Sequence, residues 1–224
     1  MALTTLQRNL RKEYVNYLNA TEDVDRSMIT DCIKNYGIPE VDYRNKICLD
    51  LGANVGGFAK LAVDSGAYRV YSVECDSRNF LKMQTSFQNE EKVNVIHAAV
   101  SGSRGDSLDI YKGQSKSNHC STSIIKRTGR YQNYENVKNI NIKDLLHICK
   151  PDIVKIDVEG AEYELIDDVL NYHPEFLFIE LHMGKMKDLA QPTLDRLDSL
   201  YSSSVIEPVI VFQSVAGYDC WFKK

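Results

Sequence analysis

The stretch KICLDLGANVGGFAKLAVDS, Lys46–Ser65, decides the fold. Its opening letters, KICLDL, form a short apolar run of the length of a buried strand. Glycines follow at Gly52, Gly56 and Gly57, and from Gly56 to Ser65 the apolar residues return at helical spacing. A strand that turns through glycines straight into a helix is the first half of a βαβ crossover. The pattern then repeats. RVYSVE reads as a strand, Ser77 to Gln88 as a helix and VNVIHAAV as a third strand. Further on, DIVKID, a helix from Ala161 to Leu170, and EFLFIELH make another unit. Such alternation implies an α/β fold, a mostly parallel sheet with helices on both faces.

Two more helices precede this core. Leu3, Leu6, Leu10, Tyr14, Tyr17 and Leu18 recur at helical spacing over residues 3–19. The second spans Asp25 to Tyr36 and stops at Gly37, with Pro39 beyond. Residues 1–40 are therefore expected as a helical extension covering an edge of the core or the mouth of a site, and residues 41–224 as the main domain. Near the other end, Asp188 to Leu200 is helical, and SVIEPVIVFQ and GYDCWF read as an antiparallel pair of edge strands. Residues 101–141 are polar and irregular, rich in Ser, Gly and Asn.

With 224 residues, 43% of them apolar, the chain can build one substantial core. A domain of this size buries roughly 70% of the surface its unfolded chain exposes. The net charge of -4 supplies no electrostatic footprint for nucleic acid; the short basic stretch KRTGR, Lys126–Arg130, reads as a solvated loop face. The six cysteines show neither a CxxC nor paired spacing, which argues against a zinc site or a disulfide framework. Reduced thiols, no apolar leader and no run long enough to span a bilayer fit a soluble, cytoplasmic protein.

DLGANVGGF, Asp50–Phe58, carries the first functional signal. Gly52 permits a tight turn with the backbone close to a ligand. Asn54 tolerates a left-handed conformation. Gly56 and Gly57 keep a helix start open, where unpaired N–H groups face outward. Glu74 ends the next strand, where doubly wound folds place an acid on both ribose hydroxyls. A nucleoside cofactor with a free 2′-OH is expected. Asn54 stands where a dinucleotide fingerprint needs its middle glycine, and no GK[ST] follows to make a P-loop. His97, Ala98 and Ala99, after the third strand, are expected near the adenine.

The second signal is VKIDVEGAEYELI, Val154–Ile166, read with FIELH, Phe178–His182. The two apolar runs flank one short crossover helix, so they should be neighbouring strands. Each ends in a polar pair two residues apart, Asp157 with Glu159 and Glu180 with His182. In extended chain such pairs share a face. Four ionisable groups should then converge at the carboxyl ends of the strands, where open α/β sheets bind ligands. Taken singly, each has a plainer reading: Glu159 and Glu162 suit a helix N-terminus, and Lys155 can pair with Asp157.

DLGANVGGF, the strand-end Glu74 in VYSVECD, and above all KIDVEGAE followed by FIELH resemble the FkbM-type family of S-adenosylmethionine-dependent methyltransferases. The likeness covers about Lys46 to Gly184; the ends match no motif and leave the chain readable as part of a larger multidomain protein. It implies a Rossmann-like class I methyltransferase fold with a seven-stranded sheet, and methyl transfer to oxygen, commonly on a sugar or polyketide hydroxyl. It further implies S-adenosylmethionine bound by Asp50, Gly52, Ala53, Asn54, Gly56, Phe58, Glu74, Cys75, Ala99 and Asp157, although Asp50 could merely cap the turn and Phe58 could be core. Catalysis falls to Asp157, Glu159, Glu180 and His182, with Glu159 or His182 as the base. In related sugar O-methyltransferases, acids at similar strand ends hold a divalent ion, which assigns Asp157 and Glu180 to Mg or Mn, although Leu181 stands where a second consecutive acid is common. The expected partner is a small-molecule or glycan acceptor with free hydroxyls, entering past SNHCSTSIIKR, Ser117–Arg127.

Other functions stay open on the residues alone. An NAD(P)-dependent oxidoreductase or epimerase would want a Tyr-x-x-x-Lys pair, and Tyr134 and Lys138 have that spacing, though in the irregular stretch. A nucleic-acid base methyltransferase would want an [ND]PP[YF] loop, which is absent. A non-catalytic domain that binds the cofactor and recruits a partner would carry the same loop.

Overall fold

In the computed structural model, which describes residues 5–18, 23–113, 122, 131–182, 187–211 and 214–224, the chain begins with helices α1 (Thr5–Tyr17) and α2 (Asp23–Tyr36). Strand β1 (Ile47–Leu51), helix α3 (Gly57–Asp64), strand β2 (Arg69–Glu74), helix α4 (Ser77–Ser86) and strand β3 (Val93–His97) follow as the alternation predicts. Then come β4 (Ala99–Ser101), β5 (Ser107–Gly113), β6 (Tyr131–Asn141), helix α5 (Ile142–Cys149), β7 (Ile153–Ile156), helix α6 (Glu162–Tyr172) and β8 (Phe176–His182). Helix α7 (Lys187–Leu200) leads into the hairpin of β9 (Ser203–Val211) and β10 (Ser214–Lys223).

Seven strands form the main sheet in the order β3-β2-β1-β7-β8-β10-β9. All pairs are parallel except those made by β10, which runs antiparallel to both β8 and β9. This is the Rossmann-like methyltransferase architecture. The order reverses between β1 and β7, so their carboxyl ends diverge and leave a crevice. Alternation along each strand builds one apolar layer per face. Leu49, Leu51, Val154, Ile156, Leu177 and Ile179 meet α5, α6 and α7 on one face. Cys48, Ile153, Phe176 and Phe178 meet the α1–α4 layer on the other. The N-terminal helices are part of that second layer, since Tyr14, Leu18, Ile29 and Ile33 are buried against it.

On this second face the row above the apolar residues is charged. Asp50 of β1 lies beside Lys155 of β7, and Lys155 beside Phe178 of β8. One step nearer the strand ends, Glu180 of β8 faces Asp219 of β10.

Three expectations need correction. VNVIHAAV is not one strand: it breaks at Ala98, whose N–H donates to the Glu74 carbonyl, and β4 leaves for a second sheet ordered β4-β6-β5. Residues 101–141 are not irregular throughout, because β5 and β6 pair antiparallel from Ser107↔Lys138 to Gly113↔Tyr131. Among the described apolar residues of that stretch only Ile110 and Val137 are buried, so hydrophobic alternation is too sparse to announce a strand. Helix α5 was not foreseen. Asn141 caps it, accepting from the Lys143 N–H at 2.9 Å, and Lys150 ends it in a left-handed conformation. The stretches KRTGR and SNHCSTSIIKR, Thr122 apart, lie outside the described residues. No helix among those described is long and apolar enough to cross a membrane.

Candidate active site

The turn after β1 is set by close approach of chain to chain. Gly52 has φ +77, and a Cβ there would overlap the carbonyl oxygen of Asp157 at the end of β7. Its N–H and that of Ala53 both donate to the Val73 carbonyl at 3.0 Å, and the Asp157 N–H donates to Leu51. Asn54 is left-handed at φ 52, as expected. Gly56, at φ 92, starts α3, and a Cβ there would meet the Phe87 ring at 2.5 Å. The backbone does run close at these two glycines, but to other protein atoms, and Gly56 does not line the cavity. At Gly57 an added Cβ would only touch Cys32 of α2, at 3.4 Å.

Glu74 closes this end. Its Oε2 accepts the Asn54 N–H and its Oε1 the Asp76 N–H, both at 2.7 Å. Burial pushes the carboxyl up to about 7, against the pull of those two amides. Asp76 caps α4 and takes the Arg78 side chain and the Thr122 hydroxyl.

A cavity of about 470 Å³ opens over the turn, within the range of small-molecule sites. Gly52, Ala53, Asn54, Phe58, Glu74, Cys75 and Ala99 line it, together with Asp157, Glu159 and Glu180. Asp50, Gly56, His97 and His182, also assigned to the site, do not. Asp50 is fully buried beneath the turn, where its Oδ1 sits 3.1 Å from Lys155 Nζ; it supports the site from below because its strand position points it at β7. His97 stacks on Phe80 instead of reaching the cavity, and its Nε2 lies 3.1 Å from the Cys75 carbonyl. Residues that sequence reasoning missed come from α2: Asp31, Lys34, Asn35 and Tyr36 form a wall. The break of the helix at Gly37 was the available signal, since it puts the helix end over the sheet.

The four catalytic candidates do come together, by a route different from the one expected. β7 ends at Ile156, and Glu159 sits in a turn with φ 55; the same-face argument therefore fails for Asp157 and Glu159. What gathers the group is Glu162. It is wholly buried, and its Oε1 accepts from the Val158 and Gly160 N–H groups and lies 2.9 Å from His182 Nδ1. This acid is no mere ornament of a helix N-terminus: it pins the turn to β8. With Nδ1 engaged, His182 Nε2 faces Glu159 and Glu180, each at 3.4 Å. Asp157, Glu180 and His182 offer ligand atoms within 4.8 Å of one another.

Charge dominates this end. Burial and the nearby Asp157 push Glu180 up to about 9. Burial alone would lower His182, but its bond to Glu162 and the surrounding acids raise it to about 10. Among the described lining residues, six are acids (Asp31, Glu74, Asp157, Glu159, Glu180, Asp219) and two are lysines, Lys34 and Lys155. Such a cavity suits a cation and repels a pyrophosphate. Tyr134 and Lys138 lie four residues apart on an extended strand, about 13 Å by strand rise, which is not the geometry of a helical Tyr–Lys pair.

Solved structures share the fold. A methyltransferase FkbM from Methylobacillus flagellatus is 12% identical with a TM-score of 0.51, covering 94% of this chain and 59% of its own. A precorrin-6y C5,15-methyltransferase from Geobacter metallireducens is 11% identical, with 89% and 88% coverage and a TM-score of 0.48. Fibrillarin of Aeropyrum pernix, solved with natively bound S-adenosyl-L-methionine, is 11% identical, with 87% and 74% coverage and a TM-score of 0.48. No curated protein matches the chain. Residues 50–208, well over half of the sequence and inclusive of the glycine turn, Glu74, Asp157, Glu159 and Glu180, match the Methyltransferase FkbM domain, and the chain belongs to that methyltransferase family.

Proposed function

We propose that this methyltransferase moves a methyl group from S-adenosylmethionine to a hydroxyl of a sugar or glycan. The observation that carries the reading is the row of acids beside the nucleoside-type turn, six carboxylates around one cavity. When bound, the donor supplies an electrophilic methyl on a sulfonium. Glu74 would take the ribose hydroxyls on the lone pairs its two amides leave, with Cys75 and Ala99 beside the base. Gly52 to Asn54 would face the amino-acid end, and Asp157 its ammonium. The carboxylates among these residues match the donor's positive charges.

The acceptor hydroxyl must lose a proton as it attacks, so a base at hydrogen-bond reach speeds transfer. Glu159 is that base in this reading. His182, held protonated by Glu162, orients Glu159 and Glu180 through Nε2. The same residues also fit a divalent cation that would displace the Nε2 proton, because Asp157 and Glu180 offer oxygens, His182 Nε2 is turned toward them, and a carboxylate on the opposite ring nitrogen is the usual support of a metal-bound histidine. Such an ion, when bound, would grip neighbouring hydroxyls of a polyol. Incubating glycans and nucleotide sugars with donor and enzyme, with and without EDTA, tests both points by mass spectrometry. A product heavier by one methyl supports sugar methylation; loss of that product in EDTA supports the metal. Methylation confined to amines would overturn the acceptor class.

A further inference from the structure

Lys155 is buried to 4% exposure in the middle of the sheet face, one residue before the strand ends. A lysine there is costly unless every proton of its ammonium is matched. Three neighbours offset it, one by a hydrogen bond and two as ion pairs. Nζ donates to the Gly52 carbonyl at 2.9 Å, lies 3.1 Å from Asp50 Oδ1, and stands 3.8 Å from Asp157 Oδ2. The Tyr36 ring of α2 lies 5.8 Å away. Asp50 alone would have sufficed to neutralise the charge. The bond to Gly52 and the approach to Asp157 do something else: they tie the turn that would carry the donor to the acid that would face it.

We infer that Lys155 is a positioning residue that fixes the Gly52 carbonyl and the Asp157 carboxylate together, so that the amino-acid end of S-adenosylmethionine is bound only when Asp157 is in place. Register makes this reach available, since Asp50 and Lys155 are adjacent across β1 and β7 and the lysine stem runs along the sheet toward the turn. The role is local. Glu74, at the nucleoside end, takes its geometry from two backbone amides and feels the Lys155 charge only as the smallest of the causes that set its pKa. The inference rests on the donor reading above.

The test separates this role from simple charge balance. Lys155→Met alone leaves Asp50 as a buried, unpaired charge that works against the fold, so the informative protein is Asp50→Asn/Lys155→Met, which removes both charges at similar volume. Thermal melting checks that it folds, and calorimetry reads two ligands, S-adenosylmethionine and 5′-methylthioadenosine, which keeps the nucleoside but lacks the amino-acid end. The expected result is affinity for S-adenosylmethionine at least tenfold below wild type, with 5′-methylthioadenosine bound within threefold. Equal retention of both ligands would overturn the role, as would equal loss. A wild-type protein that takes up neither ligand would instead overturn the donor reading, and Lys155's role with it.

Discussion

The two ends of the cavity are built by different physics. At the end built on the β1 turn and Glu74, geometry is written in the backbone: Gly52 against Asp157, paired N–H groups on Val73, and two amides on Glu74. At the other end it is written in side-chain charge, with Asp157, Glu159, Glu180 and Asp219 held near His182 and Lys155. The first arrangement should be sensitive to shape, and the second to charge at constant shape. Substitutions can break that distinction or sharpen it.

The largest effect is expected at Gly52. Gly52→Ala adds a Cβ that overlaps the Asp157 carbonyl at a left-handed φ, and should cost at least about 3 kcal/mol, read as a lowered urea midpoint with loss of donor binding. An unchanged midpoint would mean that the turn can move away from β7. Next comes Asp157→Asn, which preserves shape and removes charge. Turnover should fall by about 10²–10⁴-fold while the urea midpoint stays near wild type; near-normal turnover would remove Asp157 from the site. Glu74→Gln turns one –NH₂ toward a backbone N–H, losing one of two amide bonds. Calorimetry should show S-adenosylmethionine bound about tenfold to hundredfold more weakly.

The smallest effect concerns pH. In EDTA, His182 folds with its pKa raised from 6.5 to about 10 by the bond to Glu162. A group that binds its proton more tightly when folded stabilises the fold fully below its unfolded pKa and loses that contribution as pH rises through the folded value. Stability should therefore fall between about pH 6.5 and pH 10, and Glu180, raised from 4.5 to about 9, adds to the same fall. Urea midpoints across that range should decline less in His182→Gln. Parallel declines would place the titration elsewhere.

The same division explains what could be read from the sequence. Strand, turn and helix at the nucleoside end follow from local letters, so β1 to β3 and the left-handed Asn54 were legible. That β7 and β8 are neighbours was legible too, through the short crossover. The β5–β6 pair was not, since only two of its described apolar side chains are buried, Ile110 and Val137, and apolar burial is what makes a strand visible. At the acidic end the residues were legible but their arrangement was not. The same-face rule assumed extended chain at Glu159, whereas a left-handed turn intervenes. Glu162 passed for a helix-start acid because a three-way bond to Val158, Gly160 and His182 leaves no mark in residue spacing. That α2 could cover the mouth of a site was legible, but which of its residues line the cavity depends on tertiary packing.

A crystal structure with S-adenosylmethionine soaked in would test the central claim most directly. The account predicts ribose on the Glu74 carboxylate, adenine beside Cys75 and Ala99, and the sulfonium methyl turned toward Asp157, Glu159 and Glu180. Density for the donor in another crevice, or a methyl directed away from those acids, would contradict it.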